Sequence, residues 1–109
     1  MTQKDIEIIS DVIVRFCSHD QYGDEKKAIL ALKKRLNIKE SDKANTIFKK
    51  HVDIFNTTKD LVEKKLKNNP HFKESLFAKL KREISTRHDC ETIEASAYLN
   101  WCYFFYVLK

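Results

Sequence analysis

YLNWCYFFYVLK, residues Tyr98–Lys109, holds six of the chain's twelve aromatic residues. Its reading as helix or strand decides the fold class. Aromatic residues favour strands. The preceding ETIEASA, Glu91–Ala97, is helix-forming, and no turn signal separates the two pieces. One helix is therefore expected, capped by Asp89 and running to Lys109. On it Ile93, Ala97, Trp101, Phe104, Phe105 and Leu108 form one apolar stripe. Tyr98, Cys102 and Tyr106 form a second, and Leu99 and Tyr103 a third.

A helix apolar on every side must be covered on every side. The first expectation is thus a central helix wrapped by amphipathic ones. The second is that one side stays open to a partner or to a second copy of the chain. Tyr and Trp are enriched where binding energy concentrates, so Tyr98, Cys102 and Tyr106 are the candidate partner-binding residues. A lipid or small-ligand groove ranks third. The apolar run is far short of the roughly 20 residues that a membrane-spanning helix needs, so no membrane span is expected.

The rest of the chain agrees with an all-α fold. Gly23 and Pro70 are its only glycine and proline, where average usage would give about eight and five. A β-sandwich, rich in Gly/Pro turns, does not fit. Ile6, Ile9, Ile13 and Phe16 mark an amphipathic helix over about Thr2–His19, with Thr2 and Asp5 spaced as a capping box. Gly23 suits a left-handed break, and Asp24 an N-cap for a second helix on Ala28, Ile29, Leu32 and Leu36. Ser41 is expected to cap a third, Thr57 and Asp60 to open a short fourth, and Asn69-Pro70 a fifth. The fifth buries Phe72, Leu76, Phe77, Leu80 and Ile84 and ends at STRHD, Ser85–Asp89. The 109 residues thus predict one domain: a compact bundle of five to six short helices with an aromatic-rich C-terminal helix.

Three cysteines, Cys17, Cys90 and Cys102, form no C-x-x-C pair, and the acidic start MTQKDIEIISD is not a secretory signal. Reduced thiols in the cytoplasm are expected. Cys17-x-His19 and His88-x-Cys90 supply two Cys/His pairs. One intervening residue is too few for both side chains of a pair to turn to one metal, so no metal is expected, and no cofactor. A single glycine excludes phosphate-cradling loops, which need several.

The net charge is +5, with the excess concentrated in residues 21–40 and 61–80. Lys26, Lys27, Lys33, Lys34 and Arg35 are the candidate nucleic-acid-binding residues, as a phosphate-tracking surface would need them. Lysine outnumbers arginine 17 to 4, whereas arginine is the usual reader of bases. Arg82 and His88 form R-x5-H, which resembles the R-x4–6-H motif of the HEPN ribonucleases, small all-α domains that dimerise to build an RNA-cleaving site. The resemblance covers seven residues, with Glu83 where the family places Asn, Asp or His. It implies a phosphate-binding Arg82 and an acid–base His88. No other catalytic pattern is present, and no catalytic residue is assigned. The expectation is a small intracellular, non-catalytic protein-binding or regulatory module of adaptor, immunity or inhibitor type. A nucleic-acid-associated basic helical protein is the alternative, and a HEPN-like ribonuclease the third reading.

Overall fold

The computed structural model describes residues 2–19, 21–66 and 74–108, apart from the side chains of His19 and Leu108. Among these residues the chain is all-α, with five α-helices and no strand: α1 (Gln3–His19), α2 (Glu25–Arg35), α3 (Ser41–Leu61), α4 (Glu74–His88) and α5 (Thr92–Tyr103). Two five-residue π-helical segments, Val62–Leu66 and Phe104–Leu108, continue α3 and α5. Packing divides the chain into two compact units, Met1–Asp53 and Ile54–Lys109.

The first unit is closed by local signals at its helix ends. The Asp5 N–H donates to Thr2 Oγ1 (3.1 Å) and the Thr2 N–H to Asp5 Oδ2 (3.3 Å), a reciprocal capping box. Gly23 takes a φ of 79°, and Asp24 Oδ1 accepts from the Lys27 N–H at 2.8 Å, capping α2. Beyond the Leu36 C-cap, helix α2 is closed by Asn37, which is left-handed (φ 56°). The Ile38 N–H donates to the Lys33 carbonyl (2.9 Å) and the Asn37 N–H to that of Lys34 (3.3 Å). That pairing is a Schellman close. Ser41 is the first residue of α3 rather than its cap, and its hydroxyl accepts from Lys33 Nζ at 3.0 Å. Ile6, Ile9, Val12 and Ile13 of α1 and Ala28 and Leu32 of α2 are buried. Phe16 meets Phe48 edge-on at 5.1 Å. Asp11 binds both Arg15 (2.9 Å) and Arg35 (2.6 Å), tying α1 to α2.

In the second unit α4 packs on α5, and the two π segments pack on each other. Its core holds Phe55, Leu66, Leu80, Ile84, Tyr98 and Leu99. The break expected at Thr57 does not occur, because α3 runs through to Leu61. Thr58 is fully buried and donates its hydroxyl to the Ile54 carbonyl at 2.7 Å. This bond satisfies the hydroxyl inside the helix. Likewise α4 includes Ser85–His88, and Asp89 does not cap α5. It is the left-handed residue (φ 49°) of a second Schellman close, in which the Cys90 N–H donates to the Ser85 carbonyl at 3.1 Å. Glu91 stands at the N-cap of α5. The expected restart at Asn69-Pro70 and the buried Phe72 lie outside the described residues.

Candidate functional site

The aromatic helix is neither wholly enclosed nor open along the side expected. Tyr98 and Cys102 are fully buried, and Tyr106 is half-buried. Tyr98 meets Phe55 edge-on at 6.1 Å. Two of the three candidate partner-binding residues are therefore core residues. Trp101 is half-buried, with Phe105 stacked on it at 4.8 Å and 12°. Lys59 Nζ lies 5.4 Å from the centre of the Tyr106 ring, a cation–π contact.

The side of α5 that reaches solvent carries Ile93 (37% exposed) and Asn100, and Phe104 (61% exposed) follows at the C-cap. Ile93 and Asn100 are seven residues apart, two turns along one face. Beside this face, between α4 and α5, runs a groove of about 380 Å³. Phe77 and Tyr103, edge-on at 5.5 Å, form its apolar wall. Glu74, Lys81, Ser96 and Asn100 supply polar groups around it. Aromatic walls beside charged and polar groups are also found in protein-binding patches. The sequence does not distinguish this side of α5, because apolar residues occur on all of them and only packing selects which are covered.

The basic candidates all lie on α2 or its last turn. Two of them have partners within the chain. Arg35 is held by Asp11 at 2.6 Å, and Lys33 donates to Ser41. Partial burial opposes charge on Asp11, but the hydrogen bonds from Arg35 and Arg15 outweigh it and hold the carboxyl below its ordinary range. Lys26, Lys27 and Lys34 are exposed.

Arg82 and His88 both lie on α4, six residues apart. Helical neighbours on one face are three or four apart, so the two side chains leave the helix on different sides. Arg82 is exposed, whereas His88 is half-buried with Nε2 2.8 Å from Thr57 Oγ1, linking the end of α4 to α3. Cys17, Cys90 and Cys102 are not in disulfides. Among the described residues no three His, Cys, Asp or Glu side chains are grouped to hold a metal ion, and no helix is long and apolar enough to cross a membrane.

One titratable residue escaped the sequence reading. His51, on α3 in the first unit, is buried, and burial, helped by the charge of Lys50, pushes its pKa down to about 4. It is neutral at pH 7. Its spacing from Phe48 and Phe55, i+3 and i−4, was the available sign that it shares their face.

Comparison of the chain with protein-family models, with curated proteins and with solved structures gives no match.

Proposed function

We propose that the chain is a small, non-catalytic protein-binding module of adaptor, immunity or inhibitor type, working in the reducing cytoplasm. The exposed face of α5 carries this reading. Phe104 and Ile93 hold large apolar surface in water beside a groove with both an acidic and a basic rim residue, Glu74 and Lys81. Desolvating an exposed aromatic ring is a strong source of binding energy. The bound protein is a separate partner or a second copy of the chain, and Tyr106 lies on the same terminal segment.

Phe104→Glu tests the reading. The variant should keep the helical circular dichroism of the parent, because the ring it replaces is mostly in solvent. It should lose self-association in sedimentation, or the protein that the parent captures in a pull-down. Ile93→Lys should act in the same direction. Undiminished binding by both variants would sink the proposal. Capture that disappears on nuclease treatment would instead favour the nucleic-acid alternative.

A further inference from the structure

A second surface, on α2 of the first unit, has a composition that a merely solvated helix face does not explain. Leu30 is 62% exposed. On a helix its surface neighbours are the residues three and four positions away on either side. Those four are Lys26, Lys27, Lys33 and Lys34. From Lys26 to Lys39 the chain holds six bases and no acid, so no i±3 or i±4 acid within that stretch offsets the cluster. Lys33, Lys34 and Arg35 occupy the last turn, where the helix dipole favours cations. Lys26 and Lys27 occupy the first turn, beside Glu25 and after the Asp24 cap, which answer the dipole there. Three exposed lysines, Lys26, Lys27 and Lys34, at helical-neighbour positions of an exposed leucine make a face suited to something outside the chain.

We propose that this α2 face docks an acidic amphipathic helix of a partner protein, with an apolar side chain on Leu30 and carboxylates on the exposed Lys26, Lys27 and Lys34. Charge complementarity sets the sign of the partner. The leucine at the centre sets its class, because an apolar centre ringed by charge matches a protein surface, whereas a phosphate backbone needs no apolar contact. The one arginine of α2, the side chain best suited to bidentate phosphate binding, is already engaged by Asp11 at 2.6 Å. Helix α2 has 11 residues, about 16 Å of axis, which matches about three turns of a partner helix.

The inference goes beyond the α5 reading, and either can fail alone. A synthetic peptide of about 14 residues, ~21 Å as a helix, serves as the probe. Its glutamates flank a leucine stripe, and its binding is followed by fluorescence anisotropy. A scrambled peptide of the same composition, a single-stranded RNA and vesicles of phosphatidylserine and phosphatidylcholine are compared with it at about 0.15 M salt. The ordered peptide should bind best. Leu30→Gln should weaken it by about tenfold or more, as should Lys27→Glu with Lys34→Glu, each at an unchanged melting temperature. Phe104→Glu should leave it unaffected, which separates this face from that of α5. Absence of peptide binding overturns the proposal. So does equal affinity for the scrambled peptide, indifference to Leu30→Gln, or tighter binding of RNA or vesicles.

Discussion

The two units solve the same packing problem with different materials. The buried side chains of α1 and α2 are aliphatic, Ile6, Ile9, Val12, Ile13, Val14, Ala28 and Leu32, and the part of α3 in the same unit adds the rings of Phe48 and His51. These helices are regular, and their ends are set by a capping box, an Asp cap, a glycine and a left-handed Asn. The second unit buries Phe55, Tyr98, Phe77 and Tyr103 and contains both π segments. Aliphatic residues at helical spacing fill a core while keeping one register. Large rings leave fewer equivalent ways to fill space, and π turns are found where the regular hydrogen-bond ladder gives way. The comparison teaches that hydrophobic periodicity predicts structure best where side chains are small enough to be interchangeable.

The largest expected effect sharpens that contrast. Tyr98→Ala should cost about 3–5 kcal/mol, because lost transfer energy and the residual cavity add, whereas Ile13→Val in the first unit should cost about 1 kcal/mol. Urea denaturation measures both, and equal costs would break the comparison.

The first unit has its own weakness, in acid. The folded pKa of His51 is about 4, below the ordinary 6.5, so between these values the unfolded chain binds a proton that the folded chain does not. Stability therefore falls as the pH drops from about 6.5 to 4, by about 3 kcal/mol in total. Denaturant midpoints at pH 7, 5 and 4 should decline accordingly. His51→Gln should flatten that slope.

A smaller effect is expected at Trp101. It is half-buried, so Trp101→Ala should cost about 2 kcal/mol, much of it the stacking on Phe105. A loss as large as that of Tyr98→Ala would mean that the terminal segment is core throughout. The smallest effect should be Asp11→Asn, which frees Arg15 and Arg35. The pair is solvent-screened, with the Asp11 side chain 38% exposed, so about 0.5–1 kcal/mol is expected. Adding salt should shrink the difference between parent and variant.

The sequence was most legible where a residue has one local use. Thr2 with Asp5, Gly23 and Asp24 each act as their types suggest. It misled where one residue type has two uses. Thr57 and Asp60 have the spacing of a capping box, yet Thr58 beside them bonds back to Ile54 inside a continuous helix. Asp89 looks like an N-cap, yet an aspartate also tolerates the left-handed close of the preceding helix. STRHD reads as a break because it is polar, although Thr86 and Arg87 are simply the exposed side of α4. The α5 face was illegible for another reason. In a segment apolar all round, exposure is decided by distant partners such as Phe55 and Phe77. Leu30 stands among lysines in the sequence, but a single leucine at that spacing carries no periodic signal of its own.

The π segment at Phe104–Leu108 also bears on how this protein tolerates change in length. A π turn closes its hydrogen bond one residue further along than an α turn, so it is in effect an α-helix holding one residue more than its register requires. That extra residue separates Tyr106 from the line of Tyr98 and Cys102. With Phe104 or Phe105 deleted and the α register regained, Val107 would stand four residues after Cys102, an aliphatic side chain in the line that Tyr98 and Cys102 begin. A single-codon deletion there would reassign the rings between the interior and water while keeping the helix.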